Sequence, residues 1–312
     1  MRIEHVYRNG DYIVLIAEDG TKIRVCEDRI KDPRPEFPES IDIKICNRCD
    51  MGCPQCHERS VPNGELADLK NPILLAIPPG TELAIGGGNP LEHPDLTDFL
   101  YRMKTQKVIC NITVHLKHFI DHYSLIERLY REKLVHGVGV SVDRPVSGSE
   151  MELLKSIPTL VVHVIAGLVT DATLASLALN DLNLLILGYK DYGRGVDYHA
   201  RSPFIDQSIF VMKNGIESIS QLFRHVSFDQ LAVKQLGLQE LVGNDTWDES
   251  YMGRDGEFTM YLDLVRNEYA VSSISPRHPL KDSHIRNAFA SVREEAGFCR
   301  YFPLCKGKMK GH

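Results

Sequence analysis

The sequence has 312 residues, of which 43% are hydrophobic and 25% are charged, and its formal net charge is -6 at pH 7. These values suit a globular protein with a substantial core, built as one large α/β domain with additions or as two domains. The acidic balance argues against a general nucleic-acid binder, no apolar run is long enough to span a bilayer, and the first residues carry no secretory signal, which together predict a cytoplasmic protein.

The first 38 residues are predicted to form a small antiparallel meander. Residues 11–17 and 22–26 are short β-prone runs, and Asn9-Gly10 and Asp19-Gly20 precede them as hairpin turn signals. The proline-rich stretch 32–38 then indicates an extended linker, so a domain boundary is expected there.

Residues 39–200 alternate short apolar runs with amphipathic stretches, a pattern that predicts parallel strands joined by right-handed helical crossovers. The pattern gives six strand–helix units, although Pro72 interrupts the first helix. The strand candidates are 41–45, 82–85, 108–115, 135–142, 160–165 and 182–187, and the helix candidates are 95–105, 120–133, 149–156 and 171–179.

Residues 201–312 are less regular and predict an α+β extension. Residues 207–226 are helical in pieces, and 256–265 and 268–273 are predicted to pair as strands around Arg266-Asn267. Cys299 and Cys305 near the end are too few for a second four-iron site, so structural or free thiols are expected there.

Four of the eight cysteines form the pattern Cys-x2-Cys-x3-Cys-x2-Cys at Cys46, Cys49, Cys53 and Cys56. In a reducing compartment such a cluster indicates metal binding or catalysis before disulfides. Three interpretations remain open: structural zinc on all four thiols, an electron-carrying four-iron cluster, or a cluster on Cys49, Cys53 and Cys56 alone. In the third, Cys46 is a buried thiol at the end of the preceding strand.

A glycine run, Gly86-Gly87-Gly88-Asn89-Pro90, follows the second strand of the series. Glycines there let the backbone approach a ligand closely, although a tight turn alone would also use them. Because ligands bind beyond the carboxyl ends of parallel strands, the cysteine loop and the glycine run are expected to form one site.

With these residues the chain resembles the radical S-adenosylmethionine (radical SAM) enzymes. The spacing Cys49-x3-Cys53-x2-Cys56 after the first strand is similar to that family's signature, residues 86–90 are similar to its glycine-rich motif, and the series from about 41 to 190 is similar to its partial six-unit barrel. The resemblance implies an α/β fold: a partial (β/α)6 TIM-like barrel over 39–200, an antiparallel β appendage over 1–38, and an extension over 201–312 that covers the barrel mouth.

The same resemblance implies a [4Fe–4S] cluster on Cys49, Cys53 and Cys56, with S-adenosylmethionine on the fourth iron. Reductive cleavage would give a 5′-deoxyadenosyl radical that abstracts hydrogen from the substrate, with electrons from a flavodoxin or ferredoxin. Two positions depart from the family pattern: Gln55 stands where an aromatic residue is common, and Asn89 where the glycine motif often carries Glu.

Further candidates lie at the carboxyl ends of later strands. The resemblance suggests Ser141 and Asp143 beside the ribose and methionine of the cofactor, although Asp143 suits a turn before Pro145 equally well. For His115 and His163 an ordinary interior position is the more common role.

The loop 188–195 after the sixth strand offers possible substrate contacts. Lys190 and Arg194 could hold an anionic group and Tyr189 or Tyr192 could stack on it, unless the segment is an ordinary solvent-exposed loop.

The sequence thus predicts a radical SAM enzyme acting on a small-molecule or nucleotide substrate. The first alternative is a radical enzyme that modifies a peptide, with the N-terminal meander as a docking element. The second, from a different class, is a non-catalytic binding module stabilised by zinc on the four clustered cysteines.

Overall fold

The computed structural model describes residues 2–18, 20–27 and 33–298, so Cys299 and Cys305 lie outside the described residues. The strands are β1 Ile3–Asn9, β2 Tyr12–Ala17, β3 Lys22–Val25, β4 Ser40–Cys46, β5 Glu82–Gly87, β6 Ile109–His115, β7 Gly137–Ser141, β8 Leu160–Ile165, β9 Asn183–Leu187, β10 His225–Phe228, β11 Thr259–Asp263, β12 Glu268–Ala270 and β13 His278–Pro279.

The helices follow the amphipathic stretches of the sequence. They are α1 Leu96–Thr105, α2 Leu116–Asp121, α3 Tyr123–Arg131, α4 Gly148–Lys155, α5 Asp171–Leu177, α6 Arg194–Arg201, α7 Phe204–Ser220, α8 Gln230–Leu236, α9 Leu238–Leu241, α10 Asn244–Ser250 and α11 Ile285–Glu295. In the first crossover, Pro72 begins a short 3₁₀ helix, Pro72–Ala76, which Asn71 caps by accepting the N–H of Ile73. The helix ends at Ile77, which is extended because Pro78 follows it.

A ten-stranded sheet in the order β10-β9-β8-β7-β6-β5-β4-β11-β12-β13 forms the body of the molecule. The eight strands from β10 to β11 are all parallel, and β12 and β13 add an antiparallel edge. The six predicted strands of the βα series are confirmed. The sequence did not predict β1, β10, or the parallel pairing of β11 with β4.

The two faces of the sheet differ in polarity because side chains alternate along each strand. On β4, Ile41, Ile43 and Ile45 are buried in the main core, whereas Asp42 and Lys44 lie on the other face. Helices cover the apolar face; α3, for example, buries Ile126 and Leu129, which are three residues apart. The opposite, polar face is left for ligands.

The small sheet β1-β2-β3 is fixed to the amino-terminal ends of the large sheet. Tyr12, Val14 and Ile16 pack against Ile109 and Phe258. Close by, the Tyr12 hydroxyl donates to Glu39 Oε1 at 2.5 Å and Arg24 Nε to the same oxygen at 2.8 Å. The small sheet and the cysteine loop therefore lie at opposite ends of the parallel strands.

No helix within the described ranges is both long enough and apolar enough to cross a membrane.

Candidate functional site

The cysteine loop leaves the carboxyl end of β4 and is closed by its own backbone. Cys49 N donates to Val61 O at 2.9 Å, Val61 N to Asn47 O at 3.1 Å, and Asn47 N to Glu65 O at 2.8 Å. Gly52 takes a φ of +61°, which turns the chain between the first two cysteines of the signature at little steric cost. The backbone of the loop thus holds its own shape.

Cys49, Cys53 and Cys56 are free, half-buried thiols that act on one another electrostatically. Burial raises the pKa of Cys53 to about 11, and the negative charges of Cys56 and Cys49 add to the rise. Burial likewise raises the pKa of Cys49, with Cys56 contributing. As thiolates these three sulfurs would repel one another, and a bound cationic centre removes that repulsion, so the donor set fits an iron–sulfur cluster.

Cys46 differs from the other three thiols. It is fully buried, its sulfur accepts the N–H of Arg48 at 3.1 Å, and its S–H reaches Arg48 O at 3.4 Å. Because its sulfur is already engaged in the loop's own hydrogen bonds, this geometry favours three ligands over four.

Asp50 ties the cysteine loop to α2, a contact that the sequence analysis missed. His118 Nε2 lies 2.5 Å from Asp50 Oδ1, and Lys117 Nζ lies 3.0 Å from Asp50 Oδ2. The hydrogen bond from His118, followed by that from Lys117, lowers the pKa of Asp50 to about 2. Ligand atoms of Cys49, Asp50 and His118 all lie within 4.8 Å of one another, but His118 and Lys117 already occupy the carboxylate.

The glycine run is joined to the cysteine loop by two backbone hydrogen bonds. Gly88 N donates to Cys46 O and Asn89 N donates to Arg48 O, both at 2.7 Å. A Cβ at Gly87 or Gly88 would lie closer than 3.0 Å to these same carbonyl oxygens, whereas a Cβ at Gly86 would meet no atom within 4 Å. Gly87 and Gly88 therefore permit the close approach of the two loops, and Gly86 faces open space.

Asn89 has a structural task in addition to any contact with a ligand. It is buried, and its Oδ1 accepts the N–H of Leu91 at 3.2 Å, which caps the short 3₁₀ helix Pro90–Glu92. The neighbouring Glu92 accepts its Nδ2 at 3.4 Å. One lone pair of Oδ1 remains for a further donor.

Polar residues of β6, β7 and β8 line the same face of the sheet. His115, Ser141 and His163 stand side by side in register. His115 Nε2 lies 3.2 Å from Asp143 Oδ2. The charge of Asp143 contributes to the raised pKa of Cys53, which indicates that the end of β7 lies near the cysteine loop.

His163 lies over a glycine of the neighbouring strand. A Cβ at Gly139 would lie within 3.0 Å of its ring, so only glycine leaves room for the imidazole. Its buried Nδ1 has no hydrogen-bond partner among the described residues. Burial lowers the pKa of His163 to about 4, so the ring is neutral near neutral pH.

The loop after β9 docks on the cysteine loop. Arg194 N donates to Cys56 O at 3.1 Å and Arg194 Nη1 to Ser60 O at 3.1 Å. Gly193 approaches so closely that a Cβ there would lie within 3.0 Å of His57 O. Tyr189 is buried and its hydroxyl donates to Gly195 O at 2.7 Å, so its ring belongs to the packing of this loop.

Lys190 reaches the residue after the third signature cysteine. Its Nζ lies 3.3 Å from His57 Nε2 and donates to Ser273 Oγ at 2.9 Å. Burial, followed by the charge of Lys190, lowers the pKa of His57 to about 3, so His57 is neutral and accepts from the ammonium group.

A buried ion network joins the cysteine loop to the C-terminal strands. Lys44 Nζ lies 2.7 Å from Glu58 Oε2 and 3.5 Å from Asp263 Oδ2, and the Tyr261 hydroxyl donates to Glu58 Oε1 at 2.8 Å. Burial alone would raise the pKa of Glu58, but the charge of Lys44 and the hydrogen bonds from Lys44 and Tyr261 act against burial, and that pKa is lowered. Sequence patterns carry no signal for this network, because Glu58 and Tyr261 are 203 positions apart.

Three further carboxylates, Asp42, Asp229 and Asp255, share an enclosed space with Lys190. Burial raises the pKa of Asp255 to about 6, with Asp42 and Asp229 adding to the rise and Lys190 opposing it. The side chains of Asp42 and Asp255 reach solvent although protein surrounds them, which describes the wall of a recess and not a packed core.

No protein-family model matches the sequence, and no curated protein matches it significantly. Solved structures do match its fold. SuiB of Streptococcus suis bound to the precursor peptide SuiA superimposes with a TM-score of 0.61 and 13% identity, covering 92% of this chain and 88% of that one. SuiB bound to S-adenosylmethionine gives a TM-score of 0.60 and 12% identity, covering 94% and 90%. The chain shares this fold.

The close contact between the two loops predicts that alanine substitutions at Gly88 and Gly86 differ in their effect on stability. Gly88→Ala should lower the free energy of unfolding by about 1–3 kcal/mol, because its Cβ would push against Arg48 O. Gly86→Ala is the matched control and should unfold like the unmodified chain. Denaturant unfolding measures both, and equal stability of the two variants would contradict the assigned contact.

His163 predicts a pH dependence of stability. Since its pKa is about 4 in the folded chain and about 6.5 when unfolded, the unfolded state gains the proton first as pH falls, and stability is lost from about pH 6.5 downward. His163→Gln should reduce the stability lost between about pH 7 and about pH 5 by roughly 1–2 kcal/mol. The exposed His122→Gln serves as control and should leave the loss unchanged; an identical pH profile for both variants would argue against a neutral, buried imidazole.

Proposed function

We propose that this chain is a radical SAM enzyme that holds a [4Fe–4S] cluster on Cys49, Cys53 and Cys56. The observation that carries the proposal is the arrangement of three half-buried, free cysteines on a loop that is bonded to a glycine run whose first member faces open space. A structural zinc site would engage four ligands, and the fourth nearby thiol, Cys46, is hydrogen-bonded to Arg48 instead.

The residues around the open space fit S-adenosylmethionine. Gly86 leaves room for it, the backbone at Gly87, Gly88 and Asn89 borders that room, and Ser141 and Asp143 lie at the end of β7 near the cysteine loop. Gln55 is proposed to meet the adenine, as in the family pattern. When bound, the cluster and S-adenosylmethionine would supply a 5′-deoxyadenosyl radical, and the chain's own residues would orient the cofactor and keep water away.

We propose that the parallel sheet curves into a partial barrel around this site, with residues 1–38 as an appendage and 201–312 as an extension over its mouth. Contacts between residues that follow β10 and residues that precede β11, the two ends of the parallel series, support the curvature. Gln230, just after β10, donates to Gly253 O at 2.5 Å and accepts from the Tyr251 hydroxyl at 3.2 Å, and both partners precede β11. The recess that contains Asp42, Asp229 and Asp255 would be the interior of the barrel.

A peptide is the substrate class that we favour. SuiB, which shares the fold over most of its length, was solved with a precursor peptide, and a recess walled by carboxylates and Lys190 suits polar side chains. Of the loop residues singled out in the sequence, we propose that Lys190 touches substrate. Tyr189 instead bonds Gly195 within the loop, and Arg194 holds the loop against Ser60. A small molecule remains the second candidate, and a flavodoxin or ferredoxin is the proposed electron donor.

The ligand assignment predicts a clear division among the four clustered cysteines. Protein whose cluster is reconstituted without oxygen should be brown and absorb at roughly 400 nm. After reduction it should form 5′-deoxyadenosine from S-adenosylmethionine. Cys49→Ala, Cys53→Ala and Cys56→Ala should each lose the cluster and that product.

Cys46→Ala is the control, because it should retain both the absorption and the product. A colourless protein with one zinc ion that Cys46→Ala releases would overturn the proposal in favour of the binding module.

Gly86→Ala tests the cofactor position separately from the cluster. It should retain iron and sulfide, because its Cβ meets no protein atom, but bind S-adenosylmethionine at least about tenfold more weakly by filling the cofactor's room. Equilibrium dialysis against labelled S-adenosylmethionine measures this in the oxidised protein. Unchanged affinity with an intact cluster would move the cofactor away from Gly86.

A further inference from the structure

A second recess lies at the opposite end of the strands from the cysteine loop. This groove of about 970 Å³ is bordered on one side by residues 2–7 and on the other by 107–110, 133–136 and Thr159. These latter positions are the amino-terminal ends of β6, β7 and β8. The proposed radical chemistry leaves the groove without a task.

One wall of the groove is an open sheet edge. β1 is the outer strand of the order β1-β2-β3, and among the described residues it pairs with β2 alone. Alternate residues of such a strand direct N–H and C=O groups away from the neighbour, so they remain available for another strand. The irregularity that commonly blunts an edge is confined to Ile3/His5, and pairing is regular from His5 to Asn9.

The apolar side chains of this edge are also uncovered. Val6 is 64% exposed and Ile3 is 37% exposed, and both line the groove. On the neighbouring strand β2, Tyr12, Val14 and Ile16 pack against Ile109 and Phe258 and so anchor the small sheet to the large one. An anchored sheet with a free, partly apolar edge is a template for adding one extended strand.

The charged side chains that line the groove indicate which kind of partner it would bind. Arg2, Lys107 and Lys133 are exposed cations for which no described residue supplies an anion. The lining contains two acids, Glu4 and Glu18, of which Glu4 lies 3.7 Å from His136, against five lysine and arginine side chains: Arg2, Lys104, Lys107, Arg131 and Lys133. The surface is therefore complementary to negative charge, although the protein as a whole is acidic.

We propose that an extended, acidic peptide segment docks in this groove by adding a strand to β1. The occupant would be the recognition part of the substrate, bound at the end of the fold remote from the cysteine loop. A second copy of the chain is a poorer occupant, because its own β1 would bring Arg2 and Arg8 toward the same cations. The proposal rests on the proposed function only in taking the substrate to be a peptide.

Fluorescence anisotropy of the full chain with three labelled probes tests both elements of the proposal. The first probe alternates Glu and Val over about eight residues, roughly the length of the strand it would pair with. The second replaces each Glu by Lys, and the third carries N-methyl groups on alternate residues of the Glu–Val sequence. Only the first should bind, and hydrogen exchange should then show new protection of β1 amides.

Variants locate the site. Lys107→Glu/Lys133→Glu should weaken binding of the first probe at least about tenfold, because like charges would face each other. Lys70→Glu/Lys281→Glu makes the same charge change at exposed positions that do not line the groove and should bind like the unmodified chain.

Four results would overturn the proposal: no binding of the first probe, equal binding of the N-methylated probe, tighter binding of a single-stranded oligonucleotide of equal charge, or self-association of the protein that the probe disrupts. Formation of 5′-deoxyadenosine by reconstituted Lys107→Glu/Lys133→Glu should remain unchanged without substrate. Loss of docking and loss of the radical chemistry are thereby told apart.

Discussion

The pair of backbone hydrogen bonds from Gly88 to Cys46 and from Asn89 to Arg48 is the constraint on which the site depends. They fix the loop after β4 against the loop after β5, so that the thiols and the open space at Gly86 keep one relative position. Backbone bonds of this kind need two chains in near contact, which side chains at residues 87 and 88 would prevent. The glycine run is thus first a packing device and only then a surface for a ligand.

Buried charge holds the remaining elements to this centre. Lys44 on β4, Glu58 behind the signature cysteines and Asp263 on β11 form one network, and Lys190 from the loop after β9 joins it through His57. Removing one member would leave the others buried without a counter-charge, which costs more than an exposed ion pair contributes. Elements from both ends of the sequence are therefore coupled to the position of the cysteine loop.

The two ends of the parallel strands carry different physical properties. The carboxyl ends carry the thiols of the cysteine loop, the Glu58 carboxylate and the neutral His57, a setting that suits the proposed charged cofactor. The amino-terminal ends carry a small, well-anchored sheet and a basic groove. A chain arranged in this way can hold a substrate by a segment that does not react, which leaves the polar face free to discriminate the reacting group.

The sequence by itself determined the six βα strands, the split into apolar and polar faces, and the two loops that meet, because alternation and residue type act locally. It did not determine β10 beside β9, β11 beside β4, the clamp of His118 on Asp50, or the Glu58 network. Those contacts join positions far apart along the chain, and only chain topology brings them together. The same is true of Tyr189, whose polar loop suggested a ligand contact and whose burial in the fold directs its hydroxyl to Gly195.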